Sequence, residues 1–172
     1  PPHDPSRRQR QMCIRDRYNV TAVTGKNDKK NYLESLGAKN VVNRSEFDKD
    51  PRPIDKGLWD GVVDTVGGKI LANAIAQTRS NGIIAVCGNA NSNELNTNLL
   101  PFMLRGIKIW GMDSAGASIK RREFVWQAAT DLIDFDLLEK SVQVLSLEEI
   151  IETYPKILRG EISGRVLVDL NK

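Results

Sequence analysis

The sequence predicts an α/β protein built on a doubly wound parallel sheet, and three observations carry that expectation. Short apolar runs rich in β-branched residues alternate with stretches of helical apolar spacing. Five runs end in glycine or polar residues, at Thr24-Gly25-Lys26, Asn43-Arg44, Gly67-Gly68, Gly88-Asn89 and Asp113-Ser114. The first strand, helix and strand fit within about twenty-five residues, which is a βαβ unit with a parallel pair.

Val20–Val23 reads as a buried strand stopped by Gly25. Lys29–Leu36 reads as a helix with Asp28 as its cap, Tyr32, Leu33 and Leu36 on one face and Gly37 as its stop. Asn40–Asn43 is the next strand. Ser45–Gly57, with Pro51 and Pro53, reads as a surface loop holding at most a helical turn. Trp59–Val66 is a strand running into Gly67-Gly68. Ile70, Leu71, Ala74 and Ile75 mark a helix closing near Ser80-Asn81-Gly82. Gly82–Cys87 is the most apolar strand. Leu99–Arg105 is a short helix stopped by Gly106, and Ile107–Met112 a further strand. Glu123–Leu138 reads as one amphipathic helix with Val125, Ala128, Ala129 and Leu132 inward. Ser141–Val144 is a short strand, Leu147–Arg159 a helix stopped by Gly160, and Gly164–Leu170 a closing strand.

Composition removes several function classes. No run is long and apolar enough for a transmembrane helix or a signal peptide, so no membrane association is expected and the protein is expected to be cytoplasmic. The net charge of +3 invites a basic nucleic-acid-binding module. However, Pro1–Arg17 holds five arginines against two aspartates, so the rest of the chain sums to zero. The basic character belongs to the tail, and no nucleic-acid partner is expected. Pro1–Arg17 is aperiodic and is expected to be a non-native or disordered tail, with 18–118 forming one domain and 119–172 a separate segment. The single histidine, His3, and Cys13 go with that tail, leaving Cys87 alone. No zinc site or Cys/His pair can be built from the remainder, so no metal is expected. Cys87 reads as a small buried apolar residue.

Ligands of parallel α/β sheets bind beyond the carboxyl ends of the strands. Sheets that bind NAD usually carry an acid at the end of their second strand to hold the ribose 2′-OH. Thr24, Gly25 and Lys26 offer instead a hydroxyl, a close-approach glycine and a cation. Arg44, at the end of the next strand, adds a second cation. That set suits an anionic oxygen cluster such as a 2′-phosphate. It also argues against a methyltransferase, which would want an acid at that strand end. Asn89 and Ser114 are neutral groups able to address an amide or ribose.

Several stretches resemble the cofactor-binding half and C-terminus of zinc-independent medium-chain dehydrogenase/reductases of the quinone oxidoreductase type, with acrylyl-CoA reductase (NADPH) as the nearest branch. They are Tyr-Leu-Glu-Ser-Leu-Gly-Ala at 32–38, Trp-Asp-Gly-Val-Val-Asp-Thr-Val-Gly-Gly at 59–68 and Asn-Gly-Ile-Ile-Ala-Val-Cys-Gly at 81–88. Leu-Pro-Phe-Met-Leu-Arg-Gly at 100–106, Gly-Met-Asp-Ser at 111–114 and Gly-Arg-Val-Leu-Val at 164–168 complete the set. The resemblance implies a Rossmann-like sheet and NADPH as cofactor. By it, Thr24, Gly25, Lys26 and Arg44 match positions at the adenosine phosphate. Asn89, Met103 and Ser114 match positions on the nicotinamide side, and Gly160 a position near it. It implies reduction of an activated C=C bond, acrylyl-CoA to propanoyl-CoA, with a quinone or other enone as the alternative substrate and a homodimer as the complete assembly. It also implies that the catalytic domain, the first Rossmann strand and its Gly-rich loop are missing here. The chain is then an N-terminally truncated piece whose C-terminal segment is a remnant of the catalytic domain. The catalytic residues are expected to lie outside this chain, which by itself should fold poorly and bind NADPH weakly.

Overall fold

The computed structural model describes residues 18–172. The reading of Pro1–Arg17 as a foreign tail therefore falls outside the described residues. The described residues divide into two compact units, 18–121 and 122–172.

The first unit is a parallel α/β layer. Strand β1 (Thr21–Thr24) leads through a 3₁₀ turn at Asn27–Lys29 into helix α1 (Lys30–Ser35) and strand β2 (Asn40–Asn43). β1 and β2 pair in parallel, with Thr21 opposite Asn40 and Thr24 opposite Asn43. Asp28 does not cap α1 as expected. It lies inside the 3₁₀ turn and pairs with Lys29 at 3.1 Å, so the helix starts at Lys30 with no side-chain cap. Gly37 closes the helix with φ +100°, a conformation costly for any residue with a Cβ.

Strand β3 (Trp59–Asp64), helix α2 (Gly68–Ala76), strand β4 (Thr78–Val86), helix α3 (Leu100–Arg105) and strand β5 (Lys108–Gly111) follow. They form a parallel three-stranded sheet of order β3-β4-β5, separate from the β1-β2 pair. The sequence placed the start of β4 at Gly82, but the strand begins at Thr78. Asn81 takes φ +63° inside it, and the register against β3 shifts between Trp59 and Gly61. Asn81-Gly82 is thus an irregularity within a strand rather than the end of a helix.

The core belongs to this three-stranded layer. Leu71 and Ile75 of α2 pack on Ile84 of β4 and on Ile107, with Val62, Val86 and Phe102 against them. Ile75 and Ile84 are fully buried, each stabilising the layer by about 1.5–3 kcal/mol. The i, i+4 spacing of Leu71 and Ile75 puts both on the face of α2 that meets the sheet. Buried Asn73 ties α2 to the preceding loop, its amide donating to the carbonyls of Phe47 and Lys49 at 2.9 and 2.7 Å.

In the second unit the expected long helix is two. Helix α4 (Ile119–Leu132) crosses the boundary between units, and helix α5 (Phe135–Glu139) starts afresh with Asp134 as cap, accepting from the Leu137 N–H at 3.2 Å. Val125 and Leu132, read as inward, are 53% and 47% exposed. Strands β6 (Val142–Leu145) and β7 (Arg165–Val168) pair in parallel around helix α6 (Leu147–Leu158).

Ser146 opens α6 with a reciprocal cap. Its N–H donates to Glu149 Oε2 at 2.7 Å, and the Glu149 N–H donates to its Oγ at 3.2 Å. The Ser146 N–H, with Lys172 beside it, holds the Glu149 carboxyl below its ordinary range. Ser146→Ala is expected to destabilise the second unit by about 1 kcal/mol and to fray the first turn of α6. Hydrogen exchange at residues 147–150 measures this; unchanged exchange would show that the cap adds nothing. A carboxylate of lowered pKa contributes above its unfolded value and stops contributing as pH falls through the folded one. Ala keeps the N–H that lowers this carboxyl, so both proteins should lose the Glu149 contribution in acid and the difference between them should change little.

Candidate functional site

The parallel strands bring the residues that follow their carboxyl ends to two places. The first is the end of the β1-β2 pair. β1 ends in Thr24, whose Oγ1 accepts from the Lys26 N–H at 3.1 Å and so fixes the turn carrying Gly25. Lys26 is half-buried there, while Gly25 and Arg44 are exposed. A Cβ on Gly25 would lie 3.1–3.4 Å from the guanidinium of Arg44. The bare backbone at Gly25 is what lets that planar cation lie against the turn. Asn43 steadies the adjoining strand end: its Oδ1 accepts from Ser45 N–H at 2.8 Å, and its amide donates to Asn27 Oδ1 at 2.5 Å. Thr24, Gly25, Lys26 and Arg44 are thus brought to one place by two paired strands, although they are twenty residues apart in sequence. Arg44 also lines a cleft of about 360 Å³ between β1 and β3, shared with Asp64, Thr65 and Val66.

The second cleft, about 290 Å³, lies over the ends of β3, β4 and β5, where Gly67, Gly68, Gly88, Asn89, Ser92 and Gly111 meet. Two turns make its rim. In the first, buried Asp64 accepts from the N–H groups of Gly67 and Val66 at 2.9 and 3.3 Å. In the second, Ala90, Asn91 and Ser92 donate backbone bonds to the carbonyls of Thr65 and Val66. The two come so close that a Cβ on Gly67 would sit 2.2 Å from the Ser92 carbonyl oxygen, and one on Gly88 2.6 Å from that of Thr65. Glycine is required at both positions by this approach, and at Gly67 also by φ +73°. Asn89 stands on the second turn with its amide bonded to Asn93 Oδ1.

Met103 and Ser114 are not among the residues that line these clefts, and Gly160 belongs to the other unit. Met103 is 73% exposed on α3, Ser114 follows β5 with its N–H donating to the Met112 carbonyl at 3.0 Å, and Gly160 ends α6 in the other unit with φ +66°. Cys87 is exposed, not buried as the sequence suggested. It lies one residue past the paired part of β4, with Sγ donating to the Asp64 carbonyl at 3.3 Å. Sequence reasoning missed Asp64, whose carboxylate shapes the glycine turn. The available signal was an acid three residues before Gly67-Gly68, where it can accept from the turn it precedes.

Residues 11–134 match the protein family described as zinc-binding dehydrogenase. The match begins inside the segment outside the described residues. The chain is 35% identical over 155 residues to acrylyl-CoA reductase AcuI of Ruegeria pomeroyi, covering 90% of this chain and 47% of that protein. Among solved structures it is similar to the yhdH oxidoreductase of Salmonella enterica in complex with NADP, with TM-score 0.86 and 32% identity over 93% of this chain and 49% of that one. It is also similar to yhfP of Bacillus subtilis with NAD bound, with TM-score 0.84 and 35% identity over the same shares of the two chains. The chain thus spans about half the length of the curated relatives it matches.

Proposed function

The chain belongs to the zinc-binding dehydrogenase family, and from that premise we propose that it is the cofactor-holding part of an NADPH-dependent oxidoreductase that reduces activated carbon–carbon double bonds. The substrate we assign is acrylyl-CoA, reduced to propanoyl-CoA. The observation that carries the cofactor reading is the end of the β1-β2 pair. A hydroxyl, an uncovered backbone turn and two cations are gathered where an NAD site would hold an acid.

The donor set fits the group. Lys26 and Arg44 supply positive charge, and Thr24 can donate its hydroxyl proton to phosphate oxygen while accepting from the Lys26 N–H. The Gly67–Gly68 and Gly88–Asn89 turns line the route toward the reacting end. When bound, NADPH supplies the hydride that reduces the β-carbon of the enoyl group. The described residues hold and orient; none of them is assigned as the acid that protonates the α-carbon. The family description names zinc, yet among the described residues no cluster of three or more His, Cys, Asp or Glu is placed to hold it.

The test is a chimera in which residues 18–172 replace the matching half of the Ruegeria pomeroyi reductase. It is expected to oxidise NADPH with acrylyl-CoA as acceptor and to use NADH at least tenfold less well, on the order of one charged contact. Equal use of both cofactors would contradict the reading, and turnover of a simple quinone but not acrylyl-CoA would move the substrate to the alternative.

The complete enzyme is proposed to be a homodimer joined through β5. This strand is the edge of its sheet and all four of its residues are exposed. An exposed edge is a template for a second copy. Ile109→Pro in the chimera should give monomers in sedimentation; an unchanged dimer would place the interface elsewhere.

A further inference from the structure

We propose that Asn81 is a modification site: its carboxamide deamidates without an enzyme and converts the Asn81–Gly82 peptide of β4 to an isoaspartyl link. Asn81 is exposed and holds φ +63°, a left-handed conformation that asparagine tolerates better than most residues. Gly82 follows it and is buried. A Cβ on Gly82 would lie 2.4 Å from Thr78 Cγ2 and 3.0 and 3.1 Å from the carbonyl oxygens of Arg79 and Asp60. The packing therefore requires glycine after Asn81, and a glycine leaves its own backbone nitrogen without a flanking Cβ to shield it.

The Asn81–Gly82 peptide stands outside both ladders of β4. Trp59 pairs with Thr78 and the register resumes at Gly61 with Ile83, so residues 79–82 stand opposite Asp60 alone. The ladder to β5 begins at Ile83, opposite Lys108. Arg79 is anchored within this irregularity, donating to the Gly57 carbonyl at 3.3 Å and to the Asp60 carboxylate at 2.7 Å. Asn81 has no such ladder partner. Rotating its ψ to bring the Gly82 nitrogen onto Asn81 Cγ opens no ladder pair, since none includes either residue.

The reaction is a hydrolysis. The Gly82 nitrogen loses its proton to hydroxide and attacks Asn81 Cγ. The N–Cγ bond forms, the Cγ–Nδ2 bond breaks, and Nδ2 leaves as ammonia after taking a proton from water. One water then opens the five-membered imide. Attack at Cγ gives aspartate; attack at the Asn81 backbone carbonyl gives isoaspartate, whose main chain runs through Cβ and Cγ. No electrons are transferred, and only water is consumed. The isoaspartyl link lengthens β4 by one backbone carbon just before Ile83 and the buried Ile84. The aspartate product puts a carboxylate near Gly106, since Asn81 Oδ1 lies 3.5 Å from where a Cβ on that glycine would sit. Both changes fall in the amino-terminal half of β4, whereas the candidate site lies beyond the carboxyl ends. Deamidation thus lowers the stability of the first unit and leaves cofactor affinity as it was, whichever nicotinamide cofactor is bound.

The test is ageing of the folded chimera at physiological temperature, in mild alkali and in mild acid, followed by peptide mass mapping. The peptide carrying Asn81 is expected to gain one mass unit and to accept a methyl group from an isoaspartyl methyltransferase, faster in alkali. Asn73, buried and donating to the carbonyls of Phe47, Lys49 and Lys69, is expected to stay intact in the same molecules. Asn81→Gly suits the left-handed φ and is expected to keep the urea midpoint that the aged parent loses, with equal NADPH affinity in both. Three results would overturn the proposal: Asn81 left intact in alkali, modification seen only after urea has unfolded the chimera, or an aged and modified parent with an unchanged midpoint.

Discussion

Replacing Lys26 by Glu and Arg44 by Ala together, in the chimera, is expected to weaken NADPH by roughly 3–5 kcal/mol and leave NADH nearly unchanged. Each cation can make a charge-assisted bond to a 2′-phosphate, worth about 1.5–3 kcal/mol. NADH carries a hydroxyl there and gains little from either. The Lys26→Glu change goes further, placing a carboxylate where an NAD site usually has one. The loss should fall toward the lower end of the range because Arg44 is exposed and screened. As a fold-change, selectivity should drop by a factor of roughly 10²–10⁴. Cofactor titrations followed by fluorescence measure it. Equal losses for NADPH and NADH would mean that the two cations hold something common to both, such as the pyrophosphate.

Arg105→Met is expected to destabilise the first unit by about 3–5 kcal/mol, a large share of the 5–15 kcal/mol typical of a domain. Arg105 ends α3, and its guanidinium donates to three backbone carbonyls on three segments. The bonds to Ala76 and Thr78 are 2.9 and 2.8 Å, and the third goes to Asp55. The side chain is half-buried, so losing it takes this donor from the Thr78 and Asp55 carbonyls, while the Ala76 carbonyl keeps the Asp55 N–H at 2.9 Å. Thr78 is fully buried beside this clamp. The urea midpoint should fall with little change in slope. A loss below about 1 kcal/mol would show that water reaches those carbonyls once the cation is gone.

Much of this arrangement was legible in the chain. Asn40–Asn43 and the Gly106 stop were readable because each depends on local signals: β-branched runs and a left-handed glycine with φ +59°. The cationic strand end was readable for the same reason, since Thr24, Gly25 and Lys26 are neighbours and Arg44 ends the next strand. The misreadings came from longer-range effects. β4 begins at Thr78 because the β3 edge and the Arg105 clamp hold residues whose local pattern suggests a turn. The helix over 123–138 breaks because Asp134 caps a new one, and an internal aspartate gives that sign only weakly. Cys87 looked like a core residue because the run before it is apolar, but pairing stops at Val86 and leaves it at the mouth.

The central claim is that the β1-β2 end recognises a 2′-phosphate, and the chimera tests it most directly. Adenosine 2′,5′-bisphosphate and adenosine 5′-monophosphate differ only in that group. Titrating each into the isotopically labelled chimera and following backbone amide resonances compares them residue by residue. The account predicts shifts at Thr24, Gly25, Lys26 and Arg44 with the bisphosphate, and at most weak shifts there with the monophosphate. Equal responses to the two ligands, or shifts with the bisphosphate that avoid these four residues, would contradict it.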